Sequence, residues 1–226
     1  MKYIPSIAFE EMSGSAKGVT AAKVRGRKYI RNRGYGGGFK TAAQSSVKAI
    51  FKQLSQGWKG LTNAQILAWN ALANTQKGKS VLGTSSKISG ANLYSRLNFW
   101  IVKAGGAALS TPPVLTGVDP PCEADLSLTA ANFHFQLPDP PTEKDDLRLV
   151  IMASAPQSKG VTRAYSKAVS IGAPRTIVDE QIDIMADYKA VHGEVTAAAP
   201  KVFLKYFFIN IKTGEKSGEM LGEISL

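Results

Sequence analysis

Between residues 12 and 118 the sequence contains no aspartate and no glutamate, yet it carries 16 lysines and arginines. Whatever this stretch folds into presents an uncompensated positive field. From residue 119 the balance reverses, to 11 cations against 15 acids. A segment of net charge +15 (residues 1–118) therefore precedes one of −4, giving +11 overall. Such a chain is a basic half joined to a mildly acidic half, and its partners are expected to be polyanions.

The length of 226 residues leaves room for one large domain or two small ones. Hydrophobic residues make up 44% and charged residues 20%, as in folded chains generally. The longest uncharged apolar runs, 202–204 and 206–211, are far too short to span a bilayer. The opening MKYIPSIAFEEM has no apolar core of signal-peptide length, so no secretion signal is expected. Cys122 is the single cysteine. It permits no internal disulfide and no multi-cysteine zinc site, and it reads as an inert thiol in a linker.

Residues 1–40 are basic and Gly-rich and read as an arm. Ser13 to Gly18 is expected to be a loop, followed by two short strands, 19–24 and 28–33, joined at Arg25-Gly26. Lys23, Arg25, Arg27, Lys28, Arg31 and Arg33 crowd together there, with Tyr29 and Tyr35 beside them. These eight are the candidate contacts to a nucleic acid or a partner subunit. Few large apolar side chains oppose the entropy of Gly34 to Gly38, so the arm is expected to order on assembly.

Residues 41–110 read as a three-helix basic domain. The first helix is expected over 41–56, capped by Thr41, with Val47, Ile50, Phe51, Leu54 and Trp58 on one face and Gly57 and Gly60 at its end. The second opens on Thr62-Asn63-Ala64-Gln65, a capping box, with Leu61 and Ile66 as its hydrophobic staple. Trp58 and Trp69 read as packing anchors between these two helices. The third covers 89–104, with Leu93, Tyr94, Leu97, Trp100 and Ile101 as its apolar face.

Thr111-Pro112-Pro113 and Pro120-Pro121 make residues 111–124 a stiff linker. Beyond it the period changes to two. Strands are expected near 126–128, 133–137, 147–151, 165–171, 181–185, 201–212 and 219–226, the last two joined at Thr213-Gly214. The fold class is therefore α+β: a small N-terminal helical unit with an extended basic arm, followed by an antiparallel, immunoglobulin-like β-sandwich over 125–226. The Cys–Trp–Cys pattern of true immunoglobulin domains is absent.

No local signature of a catalytic or cofactor site is found. His134 alternates with Phe133 and Phe135 and is expected to face solvent, and His192 precedes Gly193 in a turn. Neither has a second ligand at metal spacing. Gly34-Tyr35-Gly36-Gly37-Gly38 lacks the Gly-Lys-Ser/Thr of a phosphate loop. Asp179, Glu180, Asp183 and Asp187 read as a solvated acidic strand edge.

Three stretches carry a family resemblance. They are GSAKGVTAAKVRGRKYIRNR (14–33), the W-x-x-L-T-x-x-Q-x-x-A-W-N pattern from Trp58 to Asn70 with Gly90-Ala91-Asn92-Leu93-Tyr94, and the closing Val202-Phe203-Leu204-Lys205-Tyr206-Phe207-Phe208 with Gly214-Glu215-Lys216-Ser217. Together they resemble a family of uncharacterised virion-type proteins from Bacteroidetes phages and prophages. The resemblance implies a virion structural protein, capsid-associated or at the head–tail junction, assembled in the host cytoplasm. It implies other virion proteins and copies of itself as partners, with double-stranded DNA as a non-specific further one. It implies no enzyme, cofactor, metal, membrane or small-molecule substrate. The rival expectation is a non-specific cytoplasmic DNA-binding accessory protein, with Asn92, Ser95, Arg96, Asn98 and Lys103 on the third helix.

Overall fold

A computed structural model describes residues 12–24, 27–32, 38, 41–78, 86–129, 131–142, 144–178 and 180–226. The class is α+β, with helices and antiparallel sheets largely segregated along the chain.

Strands β1 (Gly14–Ala16), β2 (Val19–Val24) and β3 (Arg27–Asn32) form an antiparallel meander. The first lies where a loop is expected. Its turn explains it: Lys17 and Gly18 have φ of 38° and 97°, the two left-handed residues that a tight hairpin requires. Ser15 then stands opposite Thr20, and their hydroxyls hydrogen-bond at 2.8 Å.

Helix α1 (Ala42–Lys59), helix α2 (Asn63–Thr75), the short strands β4 (Lys77–Gly78) and β5 (Ser86–Lys87), and helix α3 (Gly90–Lys103) follow. None of the three helices has an acid in its first turn. Neutral groups cap them instead. Thr41 and Thr62 each accept from the amide three residues on, and Gln44 and Gln65 reach back to the cap. Ser89 accepts from the Asn92 amide at 3.2 Å.

Helix α1 runs past Gln56 and straight through Gly57. A Cβ at that position would stand 2.7 Å from the Tyr94 hydroxyl, so the glycine is a close-approach site within the helix rather than its stop. The apolar stripe of α1 is also only partly covered. Leu54 is buried and Ile50 and Trp58 are half-buried, but Val47 and Phe51 are 38% and 49% exposed. Phe51 stacks on Phe99 with centroids 5.2 Å apart. Helix α3 is the hub, and α1 and α2 each pack on it.

The β half begins with β6 (Asp125–Leu128), β7 (Phe133–Gln136) and β8 (Leu147–Ala153). Where one strand is expected over 165–171 there is a 3-10 turn, Tyr165–Lys167, and then β9 (Val169–Ser170). After β10 (Arg175–Thr176) comes β11 (Ile182–Asp183), which stops early in favour of helix α4 (Met185–His192). Asp183 causes the switch: its Oδ1 accepts from the Met185 amide at 2.9 Å and from the Phe133 amide at 3.0 Å. Strands β12 (Lys201–Asn210) and β13 (Met220–Ser225) close the chain.

One sheet has the order β10-β8-β12-β13, with β9 also on β8; another has the order β11-β7-β6. Their inner faces share a core of Phe133, Phe135, Leu149, Ile151, Val202, Leu204, Tyr206 and Phe208, with Tyr188 from α4. Phe135 and Tyr206 meet edge-on at 5.1 Å. Strand β12 is buried on both faces. Its other side carries Phe207 and Ile209, which with Val150 pack under Trp100 and Ala104.

Both histidines differ from expectation. His134 is half-buried rather than solvent-facing, since β6 and β11 flank its strand, and its Nδ1 has no hydrogen-bond partner among the described residues. His192 ends α4 instead of sitting in a turn, with Nε2 2.9 Å from the Ala153 carbonyl oxygen.

Candidate polyanion interface

The register of the meander decides which candidate residues share a side. Ala22 pairs with Tyr29 and Thr20 with Arg31, so Tyr29 and Arg31 lie on one side beside small neighbours. Lys23 pairs directly with Lys28 on the other side. Arg31 and Lys23 are exposed, and Tyr29 and Lys28 half-buried. Arg25, Arg33 and Tyr35 lie outside the described residues.

Lysine opposes lysine a second time in the basic half. The two-residue pairing of β4 with β5 sets Lys77 against Lys87.

Helix α1 adds Lys48, Lys52 and Lys59, all exposed and separated by four and seven residues, which puts them on one stripe. Exposed Val47 and Phe51 run alongside. This arrangement suits a broad anionic surface better than a small ligand, because it offers charge over the length of an exposed helix face.

The four structural anchors hold the frame. Thr62 and Gln65 form the expected reciprocal cap. Trp69 is fully buried, donates from Nε1 to the Ser110 carbonyl at 2.9 Å, and meets Tyr94 edge-on at 5.3 Å. Trp58 meets the same tyrosine at 5.5 Å. Both anchors therefore converge on Tyr94 of α3, in one cluster with Leu54 of α1.

Helix α3 is poorly placed to read DNA. Asn98 is fully buried, donating to the Tyr94 carbonyl and accepting from the Leu109 amide at 2.6 Å. Lys103 donates to Ser170 Oγ at 2.9 Å and lies 4.8 Å from the centre of the Trp100 ring, and burial holds its pKa below the usual lysine value. Asn92 and Arg96 remain exposed.

Two of the acids expected on a solvated edge have structural roles. Asp183 caps backbone amides, with Met185 and then Phe133 holding its carboxyl below the usual range. Asp187 pairs with Arg175. Among the described residues no group of three or more His, Cys, Asp or Glu is arranged to hold a metal ion.

These features define an α+β protein whose acid-free stretch exposes Arg31 on the meander and Lys48, Lys52 and Lys59 on α1. No protein-family model matches the chain, and no curated protein and no solved structure is significantly similar to it.

Proposed function

We propose that the chain is a non-enzymatic structural protein of a phage or prophage particle, associated with the capsid or the head–tail junction. Its basic half binds the acidic surfaces of neighbouring subunits and the phosphates of packaged DNA. The observation that carries this reading is a stretch without an acid between residues 12 and 118 whose helix α1 exposes Lys48, Lys52 and Lys59 along one stripe. Such a half attracts a polyanion, and each phosphate neutralised also releases condensed counterions. The β half serves as a rigid spacer, which we read as immunoglobulin-like because two antiparallel sheets share one core. Quantitative mass spectrometry of purified particles tests the reading: many copies per particle support it, and absence from the particle refutes it.

A second reading, a non-specific cytoplasmic DNA-binding accessory protein, is favoured by Tyr29 and Arg31 sharing one side of the three-stranded meander, an aromatic ring beside a cation. Abundance in infected or lysogenic cells without incorporation into particles would select it.

A further inference from the structure

The acidic half contains the tripeptide Asp-Pro-Pro twice, as Asp119-Pro120-Pro121 and Asp139-Pro140-Pro141. The fold brings the two copies together. They line one groove of about 590 Å³, with Leu147 and Phe208 also in its lining. That volume lies within the range of sites that take a ligand or a few side chains, about 300–1,000 Å³.

The walls are pinned from behind. Cys122 Sγ donates to the Asp139 carbonyl at 3.3 Å, which ties one Asp-Pro-Pro segment to the other. Tyr206 Oη accepts from the Ala124 amide at 2.8 Å and donates to the Cys122 carbonyl at 3.2 Å. The Glu215 carboxylate accepts from the Thr116 and Gly117 amides, both at 3.1 Å. A groove fixed this way loses little entropy on filling.

Its charge is not satisfied internally. Asp146, also in the lining, is paired with Lys212 at 2.6 Å. Asp119 and Asp139 are exposed and have no ion-pair partner among the described residues. The occupant that fits carries spaced cations around a flat apolar ring, since proline rings offer a stiff surface for an aromatic side chain.

One segment of this same protein has that chemistry: Arg27-Lys28-Tyr29-Ile30-Arg31 of β3. We propose that the groove between the two Asp-Pro-Pro segments receives the basic meander of a second copy of this chain. Asp119 and Asp139 pair with its arginines, and Tyr29 lies against the prolines. Donor and acceptor are different surfaces, so the contact is heterologous and propagates head to tail. It rests on the reading of residues 14–32 as a contact element and names the acceptor.

Sedimentation velocity on the full chain at low and at high salt tests this with two charge-reversal variants, Asp119→Lys with Asp139→Lys, and Arg27→Glu with Arg31→Glu. Wild type should associate with rising concentration at low salt and disperse at high salt. Each variant alone should associate at least tenfold more weakly. An equimolar mixture of the two should associate again, because the unaltered meander of one meets the unaltered groove of the other and the two reversed surfaces also carry opposite charges. Melting temperatures and the milder Asp119→Asn with Asp139→Asn variant guard against misfolding. A monomeric wild type, wild-type association of the groove variant, or a mixture that stays monomeric overturns the proposal. Binding of random duplex DNA by the groove variant separates the two ideas. If it is at least as strong as wild type while self-association is unaltered, the groove assignment fails and the polyanion reading stands.

Discussion

The Trp100 indole meets the Phe207 ring edge-on, with centroids 5.3 Å apart at 74°. Trp100 belongs to α3 and Phe207 to β12, so the contact joins the helical unit to the outer face of the five-stranded sheet. Trp100→Ala should cost stability near the low end of the about 3–5 kcal/mol seen for large aromatics, since the ring is only half-buried. A fragment beginning at Pro120 should keep its β spectrum but bare Val150, Phe207 and Ile209, and should self-associate. Denaturant melts of the variant and light scattering of the fragment check both outcomes.

Gly214 holds the next contact in the same seam. Its φ is 73°, and a Cβ there would overlap the Leu97 carbonyl of α3. Gly214→Ala should therefore destabilise by about 1–3 kcal/mol, the usual cost of forced backbone strain. A neighbouring exposed change, Gly218→Ala, should be far milder, because its Cβ would meet only Pro120 at 3.4 Å. Thermal melts of the pair read the difference.

Trp69→Ala should cost about 3–5 kcal/mol, because the side chain is wholly buried and its indole N–H is satisfied by Ser110. Affinity for duplex DNA, measured below the melting range, should stay at the wild-type level. A stable variant with lost DNA binding would show that the ring faces a ligand.

Asp183 links stability to pH. Its carboxyl is held below the ordinary value by the Met185 and Phe133 amides. The stabilisation is present above the ordinary carboxyl pKa and is lost as pH falls through the lowered one. Asp183→Ala should cost about 1–2 kcal/mol at neutral pH by stripping two amides of their acceptor. Asp183→Asn keeps an acceptor oxygen and should lose less, while flattening the acid side of the stability profile.

The helices were legible because their signals are local. The Thr62–Gln65 cap and the period of Leu93, Leu97 and Ile101 need only neighbours in sequence. Helix α4 escaped because Asp183 acts through a tertiary bond to Phe133, which no window of sequence contains. The run of buried residues in β12 violates simple alternation because α3 covers the second face of its sheet, a fact of packing alone. At the interface, cation density was visible in composition, but the opposition of Lys23 to Lys28 required the register. The groove escaped because Pro120-Pro121 reads as part of a stiff linker and Pro138-Asp139-Pro140-Pro141 as a strand break, and only the fold brings the two together.

The most direct measurement is fluorescence anisotropy of a random duplex titrated with the full chain at several salt concentrations, beside an Arg27→Gln, Lys28→Gln, Arg31→Gln variant. Wild-type affinity should fall linearly on logarithmic axes as salt rises. The variant should bind more weakly and melt like wild type, and its slope should be shallower by roughly one for each phosphate it no longer neutralises. Equal affinity and equal slope for the two proteins, or a thousandfold preference for one sequence, would contradict the assignment of the meander as a non-specific polyanion contact.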